Sequence, residues 1–346
     1  MVSVSAATSS SSSILPRMGL GMAALGRPGY ITLDRESVLG SARSIDRMQQ
    51  QADAVLDQLF ALPTPCWIDC ARSYGLSEKF VGEYLQKKRN RNTGDSSVYV
   101  SSKWGYTYVA DFQIALAPGQ PHEVKDHSVT NFLKQLQETK ELLGTDVLQL
   151  YQVHSATVES GILTDTKVHQ ALAATKRELG WKMGLSVSSP LQGHVIRQAL
   201  DIRMDGDGNE RLFDSVQCTW NLLEQSATDA LLHAHSNVGC DIIIKEGLAN
   251  GRILQHPVVQ KWSHHLDCPP DALALAAILA QPFAPRVLSG AVTPEQLVSN
   301  FQALEWVERL QEEKADNDRT ILQALMQDCV MDSATYWEER AALAWN

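Results

Sequence analysis

Four side chains stand where they could move a proton on and off an oxygen atom: Asp69, Tyr74, Lys103 and His154. A tyrosine phenol ordinarily holds its proton up to about pH 10. To protonate a carbonyl oxygen near neutral pH it needs that value lowered. An adjacent ammonium does this by favouring phenolate. A carboxylate paired with the lysine holds the ammonium in place and charged, and a histidine orients the carbonyl oxygen through a hydrogen bond. If a cofactor supplies hydride, neither a covalent intermediate nor a metal is needed. Each residue alone has a bland explanation. Asp69 could cap a helix, Lys103 could be a solvated strand end, Tyr74 a packed ring with a wet hydroxyl, and His154 a satisfied core histidine. Their joint placement is what raises them above those explanations.

That placement comes from the elements around them. Residues 98–103, 147–154, 182–187, 213–217, 240–245 and 286–289 read as strands, with 66–69 and 18–21 as weaker ones, making eight. Amphipathic helices lie between them. Ser128 caps one that carries Val129, Phe132, Leu133, Leu136 and Leu143 and stops at Gly144. Ser77 can cap another, with Phe80, Val81, Tyr84 and Leu85 on one side. Thr293-Pro294-Glu295-Gln296 has the pattern of a capping box with proline at the first helical position. Eight strands alternating with helices indicate a parallel sheet, and their number and shortness favour a closed (β/α)8 TIM barrel over an open doubly wound sheet. Extra C-terminal helices are expected over 310–346. The stretch 1–15, rich in Ser, Ala and Thr, reads as a disordered tail, and 16–346 as one barrel domain with its helical extension.

Barrel active sites form where strands end. Strand two ends in Asp69 with Tyr74 in the following loop, strand three ends in Lys103, and strand four ends in His154. Two long connections, 104–127 and 246–268, follow strands three and seven and share the rim with them. Arg72, Trp104 and Tyr106 sit beside the four groups and are candidates for the substrate pocket.

These segments resemble the aldo-keto reductases from about residue 18 to 304. The matching stretches are Asp69-Cys-Ala-Arg-Ser-Tyr74-Gly-Leu-Ser-Glu78, Ser101-Ser-Lys103, Leu150-Tyr-Gln-Val-His154, Gly184-Leu-Ser186, Gln217-Cys-Thr-Trp-Asn221, and Ser289-Gly-Ala-Val-Thr-Pro-Glu-Gln296 through Asn300. The resemblance implies an NAD(P)(H)-dependent oxidoreductase interconverting aldehydes, ketones or sugars with alcohols. Tyr74 would be the general acid, Lys103 the partner that lowers its pKa, Asp69 the carboxylate paired with Lys103, and His154 the group that orients the carbonyl. Ser186 and Gln217 would hold the nicotinamide carboxamide. Lys245, Gly247 and Leu248 would line the cofactor site, with Gly290, Gln296 and Asn300 at the adenosine end. The helix after Thr293 offers free N–H groups to a phosphate. The chain departs from the family pattern in places. Val187 stands where many members have asparagine, and Lys245 near where many stack a tyrosine on the nicotinamide. Gly290 and Gln296 replace a lysine and an arginine that grip the 2′-phosphate. NADP(H) is the favoured cofactor, with NAD(H) second. The alternative function is a cofactor-binding regulatory protein with little turnover.

Bulk properties narrow the partners. Thirty Lys and Arg face 40 Asp and Glu, a net charge of −10, which does not favour a basic nucleic-acid footprint. The longest apolar run, 272–280, is too short to span a bilayer. The six cysteines form no CxxC pair and read as reduced, buried thiols, which points to the cytoplasm; the Ser-rich tail leaves organelle targeting as an alternative. A small-molecule carbonyl or alcohol is the expected partner of a monomer or weak oligomer. Two further patterns are set aside. Gly19-Leu-Gly21-Met-Ala-Ala24 matches a dinucleotide fingerprint, but Gly26, Pro28 and Gly29 interrupt the helix that should follow. His264, His265, Asp267 and Cys268 could suggest a metal, but adjacent histidines in a loop point apart, and none is expected.

Overall fold

The computed structural model describes residues 16–345, apart from 34, 41–42, 91–97, 145, 205–207, 209 and 312–315. The stretch 1–15, expected to be a tail, lies outside the described residues. Among the described residues ten strands are formed: β1 (Met18–Gly21), β2 (Cys66–Asp69), β3 (Val98–Trp104), β4 (Tyr106–Tyr108), β5 (Glu123–Lys125), β6 (Leu148–Ala156), β7 (Lys182–Val187), β8 (Ser215–Thr219), β9 (Asp241–Lys245) and β10 (Arg286–Ser289). Eight of them close into a parallel barrel in the order β1-β10-β9-β8-β7-β6-β3-β2, with helices around it. This is the expected (β/α)8 barrel. The eight strands fall within two residues of the expected ranges.

Side chains alternate across a strand, so one set of each barrel strand faces the closed interior and the other the helices. The helix-facing set is largely apolar. Ile68, Val100, Tyr151, Leu185, Val216, Ile242, Ile244 and Val287 belong to the large core shared with the helices. The interior set changes character along the barrel. Trp67, Tyr99, Leu150, Ile243 and Leu288 form a separate apolar layer. Two residues further along the same strands stand Asp69, Ser101, Gln152 and Lys245. Gly19 makes room for that layer: a Cβ there would lie 2.4 Å from the Trp67 ring. The floor of the barrel is thus dry and filled, and the polar layer above it opens at the C-terminal ends of the strands.

The two connections expected to be long loops carry structure. β4 and β5 pair as an antiparallel ribbon inside 104–127, with Tyr106 opposite Lys125. The connection after β9 contains the 3-10 turns Ala249–Gln255 and the helix Pro257–Leu266, so His264 and His265 close a helix rather than sit in a loop. Among the described residues no group of three or more His, Cys, Asp or Glu could hold a metal ion, and no helix is long and apolar enough to cross a membrane. The helix Ile45–Ala61 was not anticipated. Ser44 caps it, and Met48, Ala52, Val55, Leu56 and Leu59 form its buried face. At the C-terminal end, helices Ala303–Gln311, Asp316–Cys329 and Ser333–Ala341 follow one another, and Tyr336 and Trp337 of the last are buried. All six cysteines are buried, free thiols.

Candidate active site

Parallel register sets the polar layer. Asp69 pairs with Ser101 across β2 and β3, Lys103 with Gln152 across β3 and β6, Ser186 with Gln217 across β7 and β8, and Thr219 with Lys245 across β8 and β9. Asp69 and Lys103 are almost wholly buried, at 1% and 0% exposure, and form a direct ion pair. The other Asp69 oxygen, Oδ1, accepts from Ser101 Oγ at 2.7 Å and from Gln152 Nε2 at 3.3 Å. Lys103 Nζ also donates to the Cys70 carbonyl at 2.9 Å. Ser101 itself is held by the Trp67 indole N–H at 3.0 Å, which ties the polar layer to the apolar one below.

Tyr74 lies in the turn after β2, which Gly75 (φ 59°) and Gly26 allow to pack closely. A Cβ on Gly26 would meet the Tyr74 carbonyl oxygen at 2.2 Å. The Lys103 ammonium sits 4.7 Å from the centroid of the Tyr74 ring. His154 meets that ring edge-on, with centroids 5.4 Å apart. Its Nδ1 lies 3.2 Å from Ser73 Oγ, and the Tyr106 ring flanks it at 5.2 Å. The structure therefore brings the four groups together on one rim. The residues after His154 and Lys245, namely Ser155 (φ 50°) and Glu246 (φ 55°), are left-handed though neither is glycine. Each such position costs ~1–3 kcal/mol and clusters at functional sites.

The proton inventory refines the expectation. Burial pushes the Tyr74 phenol well above its ordinary value, and the Asp69 carboxylate adds to this. The Arg27 cation opposes both, and burial prevails. The phenol is thus fully protonated at neutral pH. Burial, together with the Lys103, Lys245 and Arg27 cations, holds the His154 imidazole far below its usual range, so it is neutral and one ring nitrogen is a donor. Two buried groups with such shifts beside an ion pair in a cleft are what proton-transfer sites look like.

Two cavities meet at Tyr74 and Lys245. The longer, about 330 Å³, runs from Asp69 and Tyr74 past Gln217, Gly247 and Leu248 to Gly290, Gln296 and Asn300. The shorter, about 190 Å³, is walled by Tyr74, His154, Arg27, Glu123, Arg340 and Trp345. The longer cleft suits a dinucleotide in two respects. Gln217 is fully buried there, yet neither its Nε2 nor its Oε1 has a hydrogen-bond partner in the protein. A buried amide in that state lacks about one good partner per atom, and a carboxamide supplies both a donor and an acceptor. Gly290 leaves open space at the other end, with nothing within 4 Å of a Cβ built there. Charge at that end is less generous: Arg35 and Lys245 are the cations on the lining, and Asp271 stands among Gly290, Gln296 and Asn300.

Other expected residues are already engaged within the protein or lie away from the two cavities. Ser186 lines neither cavity, and its Oγ accepts the Ser155 N–H at 2.9 Å. Asn300 is committed to Ser289 and Asp271, both at 2.6 Å. The helix start after Thr293 offers fewer free N–H groups than expected. Thr293 Oγ1 caps the Gln296 N–H at 3.2 Å, and Gln296 Oε1 takes the Val292 N–H at 2.9 Å. Arg72 and Trp104 line neither cavity. Arg72 bridges Glu78 and Glu138, each at 2.6 Å, between two helices. Trp104 follows inward-facing Lys103, so alternation turns it out against Phe132 and His127. Tyr106 abuts His154 from the ribbon without lining either cavity. The residues that do wall the short pocket, Arg27, Tyr30, Glu123, Glu246, Arg340 and Trp345, had not been singled out. Arg340 reaches Glu246 across 94 residues of sequence, a separation that no local pattern encodes. Burial raises and Lys245 and Arg340 lower the Glu246 carboxyl, to about 2 in balance.

Comparison with known proteins adds a lineage. A family model described as the Aldo/keto reductase family matches residues 17–256. No curated protein matches the sequence. An aldo-keto reductase from Bacillus halodurans, in its holo form, superposes with a TM-score of 0.63 at 19% identity, over 91% of this chain and 94% of that one. A putative aldo-keto reductase from Pseudomonas aeruginosa gives 0.55 at 23% identity, over 83% and 90%. A Gox0644 point mutant in complex with NADPH gives 0.59 at 17% identity, over 92% and 90%. At these identities the structural likeness concerns the fold.

Proposed function

The chain belongs to the aldo/keto reductase family, a family of oxidoreductases, and on that premise we propose that it interconverts an aldehyde or ketone and the corresponding alcohol with Tyr74 as general acid and base. The observation that carries this reading is the buried Asp69–Lys103 pair beneath the Tyr74 ring, with neutral His154 against its edge, at the junction of a long cleft and a short pocket. The cofactor, NADP(H) in preference to NAD(H), supplies or accepts hydride when bound. Gln217, Gly247, Leu248 and Gly290 would line it, and Lys245 would lie at its nicotinamide end.

The protein's own groups account for the proton. The His154 N–H and the Tyr74 O–H converge on the carbonyl oxygen and polarise it. As negative charge develops there, the phenol proton moves to that oxygen. Lys103, already desolvated, then stabilises the phenolate left behind. The high resting pKa of Tyr74 keeps the proton in place until the oxygen has become basic enough to take it. The reverse steps serve oxidation. Asp69 holds Lys103 at the correct depth and takes no proton itself.

The likeness to an NADPH-bound protein and to the family favours NADP(H). A second reading, NAD(H), draws on Asp271 and on the lack of a cation between Ser289 and Asn300 on the cleft wall. Titrating the protein's intrinsic fluorescence with each reduced cofactor separates the two. The proton chemistry is tested with Tyr74→Phe. Turnover falls at least ~10²-fold, while cofactor affinity stays within a few-fold. Wild-type rates on every substrate tried would refute the assignment.

A further inference from the structure

The short pocket beside Tyr74 and His154 carries three cations, Arg27, Lys245 and Arg340, and two carboxylates, Glu123 and Glu246. They do not pair evenly. Arg340 holds Glu246 through Nε at 2.8 Å and a second bond from Nη2. Arg27 Nη1 meets Glu123 at 3.0 Å. Lys245 is the charge left over. Its Nζ donates to two neutral hydroxyls, Ser188 Oγ and Thr219 Oγ1, each at 2.8 Å. The Glu246 oxygen it approaches is 3.8 Å away and already held by Arg340. An ammonium has three N–H donors, so one remains beyond those two hydroxyls. His154 is neutral and adds no charge.

We propose that Lys245 receives an anionic group of the substrate, so that the preferred substrates are short aldehydes or ketones bearing a carboxylate. This rests on the assignment of Tyr74 and His154 as the groups that meet the carbonyl. Both they and Lys245 wall one small pocket, so a single short molecule spans the two. Lys245 also lines the long cleft, and a cofactor phosphate is the other anion that could reach it. Ser188, which positions the ammonium, lines only the short pocket, and none of the residues from 270 to 300 reaches that pocket. The buried ammonium gains from such a ligand: burial pulls it down to about 8, with Glu246 opposing and Arg340 and Lys103 reinforcing the fall.

The test uses the full-length protein saturated with its reduced cofactor. Glyoxylate is compared with methyl glyoxylate, and 4-formylbenzoate with its methyl ester, two spans between carbonyl and anion. For at least one pair kcat/KM on the acid exceeds that on the ester by on the order of 10- to 100-fold. Lys245→Met brings the ratio close to one, mainly through KM, whereas Lys245→Arg keeps it above one. Turnover-independent support comes from propanoate, which quenches the part of the fluorescence that Trp345→Phe removes, saturably and only with a cation at 245. A wild-type ratio of one or less in both pairs overturns the proposal. So does a ratio that survives Lys245→Met. If Lys245→Met weakens cofactor binding tenfold or more while the acid-to-ester ratio persists, the ammonium serves a cofactor phosphate and the proposal fails. Ester turnover that depends on Tyr74, without propanoate binding, removes the anion site and leaves the function standing. Lys245-dependent propanoate binding without any Tyr74-dependent turnover does the reverse.

Discussion

Replacing Lys103 by Met tests the core of the site without reference to catalysis. Lys103 is fully buried and Asp69 nearly so, and the two form a direct ion pair. Removing one member of such a pair strands a charge in a medium that cannot solvate it, at a typical cost of 3–5 kcal/mol. Here Asp69 keeps two donors on Oδ1, from Ser101 at 2.7 Å and Gln152 at 3.3 Å. Its Oδ2 loses the Lys103 donor. The lower end of the range is therefore expected, about 3 kcal/mol at neutral pH. One consequence follows from the charge. Asp69→Asn, added to Lys103→Met, removes the orphaned charge and returns part of the loss, a coupling of at least ~1 kcal/mol in a double-mutant cycle. Urea unfolding of the wild type, both single variants and the double variant at pH 7 measures this. The reasoning is refuted if Lys103→Met costs less than about 1 kcal/mol at pH 7, or if the double variant is no more stable than Lys103→Met.

Gln217→Met separates stability from binding. The buried Gln217 amide has no protein partner, so an apolar side chain of similar shape stabilises the fold by up to ~1–2 kcal/mol in urea while weakening cofactor binding on the order of tenfold in a fluorescence titration. Arg340→Met removes the main grip on Glu246. The Glu246 carboxyl sits at about 2 in the folded protein, against 4.5 for a free glutamate side chain. A depressed carboxyl contributes stability that is present above about pH 4.5 and lost as the pH falls through 2. The stability gap between wild type and variant is accordingly full at neutral pH and narrows below pH 4.5 in acid unfolding curves.

How far the site was legible follows from where its information resides. The strand ends could be read because barrel strands are short apolar runs bounded by turns, and Asp69, Lys103 and His154 each close one. Tyr74 could be placed by its distance from Asp69. Arg72 and Trp104 stand near Asp69 and Lys103 in sequence yet line neither cavity. Trp104 is one residue beyond an inward-facing lysine, which turns it outward. Arg72 is drawn away by Glu78 and Glu138. Connections also concealed structure. The ribbon formed by β4 and β5 has only three residues a side, too few for period-two patterning to stand out.

The sequence by itself determined the alternation of strands and helices and the residue types at the strand ends, because these depend on local periodicity and turn chemistry. It could not decide charge state or walls. Whether Tyr74 is acidic or basic depends on how much water surrounds it and on which charges stand near it. Both are set by packing: burial and the Asp69 carboxylate raise the phenol, the Arg27 cation opposes them, and burial prevails. The short pocket is assembled from the turn after β1, the ribbon, the end of β9 and the last helix. Their residues are hundreds of positions apart and acquire a common purpose only when the barrel closes and the C-terminal segment folds back across its rim.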